Sequence, residues 1–210
     1  MRLVFHPLFL AVIVIAFWSG LGFYMLACIL AVLIHEFSHA AVARHFGVKA
    51  KRITLLPFGA AVNLDCSILP RRCQALILFA GALGNAIAGI VAGAFLWVIP
   101  GLFGMLGLFI VANTTIAVMN LMPFYPLDGG KIIDLFCGRR TTTAMHVLSN
   151  IVFAVLFVVA CFALQSWSIA LFAICMIFTV NVQGKNEYVV TLAQALDILY
   201  NERYGENKKN

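Results

Sequence analysis

Two imidazoles stand four residues apart in His35-Glu36-Phe37-Ser38-His39, with a carboxylate beside the first, inside an apolar run from Leu21 to Ala43. On an α-helix, residues i and i+4 share one face about 6 Å apart along the axis. His35 and His39 can therefore grip one ion while Glu36 points toward the adjoining coordination position. Zinc suits two imidazoles and a carboxylate, with the fourth position left to water. Water bound in that way reaches a pKa of about 7 and becomes a usable nucleophile. Glu36 is then the general base, taking the proton of the water and passing it to the leaving amine. The chemistry implied is metal-assisted amide hydrolysis.

Ionisable groups at a bilayer centre cost about 2.5 to 3.5 kcal/mol each on insertion scales, so three of them in one apolar run call for a function. A third ligand is required, and the chain has only eight Asp and Glu. Asp65, Asp134, Glu187, Asp197, Glu202 and Glu206 fall in loops or the tail, which leaves Glu36 and Asp128. Asp128 closes the stretch Asn120-Leu121-Met122-Pro123-Phe124-Tyr125-Pro126-Leu127-Asp128-Gly129-Gly130. There the two prolines interrupt helical hydrogen bonding and the glycines permit unusual turns. Broken backbone at membrane depth generally lines a site. At 1.5 Å per residue, His39 and His35 lie about 7 and 13 Å from the cytosolic end of their helix at Arg44, and the segment before Asp128 delivers it near the same face. One site in the cytosolic third of the bilayer can collect His35, His39 and Asp128.

The elements that position these residues are membrane spans. Hydrophobic residues make up 63% of the 210 positions and mean hydropathy is +1.02, far beyond the roughly 45 to 50% apolar content of soluble domains. The expected fold is an all-α polytopic membrane protein. Its six transmembrane helices run over Leu3 to Trp18, Leu21 to Ala43, Gln74 to Val98, Leu102 to Met122, His146 to Leu164, and Trp167 to Val182. A short membrane-associated β-hairpin is expected between helices 2 and 3, around Pro57-Phe58-Gly59, where Ile53 to Leu64 is rich in β-favouring residues. Residues 1–184 form the membrane domain and residues 185–210 a cytosolic tail, helical by the spacing of Val189, Leu192, Leu196 and Leu199.

All 14 Lys and Arg cluster at Arg2, in the connections between Arg44 and Arg72 and between Lys131 and Arg140, and in the tail from Lys185. The connections at Ser19-Gly20, Pro100-Gly101 and Gln165-Ser166 carry no charge. Six helices place basic and neutral connections on alternate sides, and the positive-inside rule puts both termini in the cytosol. The net charge of +6 is therefore a topology signal and argues for no nucleic-acid partner; the bilayer is the surrounding medium. The six cysteines include no C-x-x-C pair, and Cys66 and Cys73, in a reducing compartment, are not expected to bridge.

His35-Glu36-x-x-His39 joined to Asn120-x-x-Pro123-x-x-Pro126-Leu127-Asp128-Gly129-Gly130 resembles the site-2 protease family of intramembrane zinc metalloproteases. The resemblance is closer to its sporulation branch, through His6-Pro7-Leu8-Phe9, Lys51 to Gly59, Asn120 to Lys131 and Glu202-Arg203-Tyr204-Gly205. It implies that His35, His39 and Asp128 hold Zn2+, that Glu36 is catalytic, and that Asn120 steadies the substrate backbone or the developing oxyanion. Asn85 matches a family position, although Ala82 stands where a proline is common, and Leu121 replaces the proline that often follows the asparagine. The resemblance further implies a membrane-associated protein substrate, a sigma-factor precursor in sporulation, cut near the cytosolic face in the mother-cell membrane around the forespore. Membrane proteins that hold the protease silent are implied partners. His6 would sit near the site entrance, and the loop from Ile53 to Leu64 would add the unwound substrate as a strand. Members of the branch typically continue into a nucleotide-sensing domain of the cystathionine-β-synthase type, and this sequence ends at Asn210. A membrane zinc-binding or zinc-transport protein without peptidase activity is the competing reading.

Overall fold

A computed structural model describes residues 2–5, 13–14, 16–48, 52–56, 59–63, 66, 69–137, 139–163, 165, 169–182 and 185. His6, Asp65 and the tail beyond residue 185 lie outside the described residues, as does much of the first expected span. The chain divides into two compact units, residues 1–138 and 139–210.

In the first unit, helix α1 (Gly22–His45), helix α2 (Arg71–Val98) and helix α3 (Phe103–Leu121) pack together. A single 3-10 turn at Pro100–Leu102 separates α2 from α3, because Pro100 has no N–H to continue the helical ladder. Each of these helices is long and apolar enough to cross a membrane. They meet through small residues: Ala31, Ala43, Ala80, Ala82 and Ala92 are buried, together with Gly81 and Gly89. Among lipids, where apolar burial gives no drive between helices, close backbone approach of this kind holds a bundle together. Ser38 shows the closeness: its Oγ donates 2.7 Å to the Ile34 carbonyl, and a side chain at Gly84 would occupy the space it fills. Large apolar side chains such as Ile90, Trp97, Phe103 and Val111 face outward, as a lipid-facing belt requires.

A three-stranded sheet accompanies the helices, in the order β1 (Arg2–Phe5), β2 (Arg52–Leu56), β3 (Gly59–Asn63). β2 and β3 are antiparallel, with Leu56 opposite Gly59 and Arg52 opposite Asn63. β1 runs parallel to β2, with Leu3 opposite Ile53. Leu3 to Phe5, read from the sequence as the start of a span, is thus strand. An apolar run this short is ambiguous between helix and strand, and pairing with β2 satisfies its backbone. β3 packs against α1, the helix that carries the histidines.

After α3 the chain turns sharply and re-enters as helix α4 (Asp128–Phe136), which packs on α2 and α3. In the second unit, helix α5 (Arg139–Phe162) contains a span-length apolar stretch, Thr142–Phe162, and is followed by the shorter apolar helix α6 (Ile169–Val182). The side-chain amides of Asn150 and Asn181 face each other at 3.4 Å. Four helices among the described residues therefore reach spanning length. The protein is a multi-pass membrane protein.

Candidate metal centre

Helix periodicity puts His35 and His39 on the buried face of α1, 5% and 7% exposed. Asp128 comes from the far side of the sequence, as the first residue of α4. A carboxylate suits that place, since the free N–H groups and dipole of a helix N-terminus favour negative charge. The turn before it is tight. Phe124 N–H donates to the Met122 carbonyl at 2.8 Å and Leu127 N–H to the Phe124 carbonyl at 2.9 Å, while Leu127 is extended. Buried Tyr125 and Leu127 anchor that turn in the bundle. Gly129 and Gly130 follow because a Cβ on Gly130 would meet the Phe124 carbonyl oxygen at 2.6 Å and one on Gly129 would strike the Met122 carbonyl oxygen.

The three side chains converge. Asp128 Oδ2 is 3.0 Å from His35 Nε2 and 3.0 Å from His39 Nε2, and the two Nε2 atoms are 3.1 Å apart. The imidazoles meet edge to face, with centroids 4.6 Å apart and planes at 90°. Two nitrogens and one carboxylate oxygen on a small triangle fit a metal ion. A tetrahedral ion with bonds of about 2.0 to 2.1 Å needs ligand atoms about 3.3 Å apart, and a modest opening of the triangle meets that.

Surrounding groups fix the orientation of these donors. His39 Nδ1 is 2.7 Å from the Ile77 carbonyl oxygen, which can only accept, so the proton resides on Nδ1 and the Nε2 lone pair faces the triangle. Lys131, one turn along α4, places Nζ 3.0 Å from Asp128 Oδ1 and leaves Oδ2 to the histidines. Gly81 of α2 lies against both rings, and a Cβ there would be 2.7 Å from His35 Cε1 and closer still to His39 Nε2.

Glu36 is half-buried beside the cluster, near enough to His39, His35, Asp128 and Lys131 to feel their charges. Asn120 is in the last turn of α3, where its Nδ2 donates 3.0 Å to the Ile116 carbonyl of its own helix. Asn85 is fully enclosed in α2. Reasoning from sequence missed the Ile77 carbonyl, which no side-chain pattern can reveal, and the ion pair of Lys131. The second was readable from its i+3 spacing to Asp128.

This arrangement of broken helix, buried His-His-Asp cluster and adjoining glutamate is that of an intramembrane metallopeptidase scaffold. The chain belongs to peptidase family M50, whose model matches residues 23–105 and 97–163, more than half of the sequence. It is 31% identical over 140 residues to stage IV sporulation protein FB of Bacillus subtilis, covering 64% of this chain and 47% of that protein. A zinc metalloprotease of Methanocaldococcus jannaschii is 28% identical over 160 residues, covering 74% of this chain and 46% of that one. The chain thus spans about half the length of these relatives. The solved site-2 protease from Methanocaldococcus jannaschii shares the fold, with a TM-score of 0.69 and 22% identity across 85% of this chain and 88% of that one.

Proposed function

We propose that the chain is a zinc endopeptidase of the site-2 type, which hydrolyses a peptide bond of a membrane-associated regulatory protein near the cytosolic face. The observation that carries this reading is the convergence of His35, His39 and Asp128 inside an apolar helical bundle. The zinc names of its relatives and the peptidase family support it.

In this reading His35, His39 and Asp128 hold Zn2+ through Nε2, Nε2 and Oδ2. When bound, the ion would supply Lewis-acid activation of water and of the scissile carbonyl. The Glu36 carboxylate would hold the proton lost by the attacking water and give it to the departing amine. Asn120 has a second amide N–H beyond the one given to Ile116, and this can donate to the substrate backbone or the developing oxyanion. His39 is held in its ligating tautomer by Ile77, and Lys131 keeps Asp128 turned toward the imidazoles. The enclosing helices limit bulk water, which strengthens every charge interaction within.

The finer assignments rest on the resemblance of the motifs to the sporulation branch and on the likeness to the Bacillus protein. The substrate is a sigma-factor precursor, freed by the cut in the mother-cell membrane around the forespore, and inhibitory membrane proteins are the regulating partners. Residues 1–184 make a six-span domain with a membrane-associated hairpin between its second and third spans, residues 185–210 are a cytosolic helical tail, and both termini are cytosolic. Alternation of basic and neutral connections supports that topology.

Co-expression with the sigma-factor precursors of the same genome, followed by mapping of new N-termini, tests the reading. Cleavage by the wild type and none by Glu36→Gln, with zinc retained in the variant, is expected. Wild-type activity in Glu36→Gln ends the peptidase reading, and failure on every precursor removes the sigma-factor assignment.

A further inference from the structure

Among the described residues, His35 Nδ1, both amide atoms of Asn85 and Asn113 Oδ1 are buried with no hydrogen-bonding partner. Asn85 and Asn113 are both 0% exposed. Their levels follow from the glycines of α2. The His35 ring lies against Gly81, where a Cβ would be 2.7 Å from its Cε1, and Asn113 lies at Gly89, where a Cβ would be 3.9 Å from its own. Asn85 is midway, four residues from each glycine. Successive levels are therefore about 6 Å apart along the axis. One turn of α2 thus separates the level of the His35 ring from that of Asn85, a gap that suits a single water with two bonds of about 2.8 Å.

Burying an amide without partners costs about 1 to 3 kcal/mol, and an alanine or leucine would serve packing alone at no such cost. A buried water needs two to four polar partners, and His35 Nδ1 and the Asn85 amide atoms offer them. That water accepts from His35 Nδ1–H and donates to Asn85 Oδ1. The Asn113 amide points the other way, its Nδ2 2.8 Å from the Phe109 carbonyl, one turn further from Asn85. Metal-binding histidines almost always donate their second ring N–H. His39 gives its own to Ile77, whereas His35 has no protein acceptor.

We propose that Asn85 holds a buried water behind the metal centre that receives the His35 Nδ1–H, so that Asn85 is a positioning residue for one ligand. The inference rests on the metal-binding reading above. Its test is the zinc affinity of the purified full chain, measured against a chromophoric chelator, together with thermal unfolding of the metal-free protein. Asn85→Leu should leave metal-free stability equal or higher, because an unpaired amide is removed, yet lower zinc affinity about 10- to 100-fold. Asn85→Ser, which can still bond a water, should recover most of that loss. A folded Asn85→Leu that binds zinc within twofold of wild type overturns the inference and leaves the peptidase reading intact, whereas a wild type that binds no zinc removes both. Should Asn85→Leu not fold, the zinc-loaded wild type labelled with 15N-histidine decides. A magnetisation-transfer peak between water and the His35 Nδ1–H is expected, and its absence overturns the inference.

Discussion

His39 and Ile77 are joined across α1 and α2 by a 2.7 Å hydrogen bond from an imidazole N–H to a backbone carbonyl. The carbonyl has a helical partner of its own to satisfy, and its second lone pair takes the imidazole. One contact thereby sets the depth at which the two helices meet and the tautomer of a ring in the candidate metal centre. Sliding α2 along its axis would cost the site its geometry before it cost the bundle its packing.

Gly81 sits at that meeting point, so Gly81→Ala should uncouple helix stability from site geometry. In an open helix the change would stabilise by about 0.5 to 1 kcal/mol. Here the new Cβ lies within contact of His35 Cε1 and His39 Nε2 and must push the rings apart. Zinc affinity should drop at least about 10-fold, with net destabilisation of about 1 to 3 kcal/mol from overpacking. Chelator competition and thermal unfolding of the same preparation measure both, and unchanged affinity would show that the rings can retreat freely.

Asp128→Asn keeps the volume and the first position of α4 but removes the charge shared by both imidazoles and Lys131. The amide can still accept, so the fold should persist, while zinc affinity should fall more than about 100-fold, beyond the range for outer-shell groups. Dialysis against a chelator followed by metal analysis checks this. Retained stoichiometric zinc in Asp128→Asn would mean that the third ligand lies elsewhere.

How much of this was legible beforehand depends on what kind of group carries each contact. His35, Glu36 and His39 could be read because a fixed spacing on one helix fixes their face. Asp128 could be read because the chain has so few acids that a carboxylate between prolines and glycines stood out. Ile77 could not, since every residue offers a carbonyl and only the register of α2 against α1 decides which one is used. β1 was misread for a similar reason: Leu3-Val4-Phe5 is as apolar as a span, and the parallel partner that makes it a strand lies some fifty residues away. The first and last expected spans were also the shortest. Of the latter the structure describes a 14-residue apolar helix, Ile169–Val182, below spanning length.

Metal removal should inactivate reversibly. The candidate ligands come from two helices that also pack through α2, so the bundle does not depend on an ion for its connectivity. Chelated protein should keep its helical circular dichroism and regain proteolysis on zinc addition, with protons competing for the ligand atoms so that uptake weakens as the pH falls. Collapse of helicity on chelation would instead place the ion among the folding determinants.

The glycines after Asp128 provide the sharpest contrast with an ordinary helical glycine. At Gly129 a Cβ would land on the carbonyl oxygens of Met122 and Leu121, and backbone cannot swing aside as a side chain can. Gly129→Ala should therefore force the turn away from α3 and carry the neighbouring Asp128 with it, lowering thermal stability by about 1 to 3 kcal/mol and abolishing zinc binding. Gly93→Ala, in α2 with nothing within 4 Å of the new carbon, should leave zinc affinity unchanged and stability equal or slightly raised. Measured side by side, equal behaviour of the two variants would show that the turn before α4 has slack, and the close approach that aims the carboxylate would lose its force.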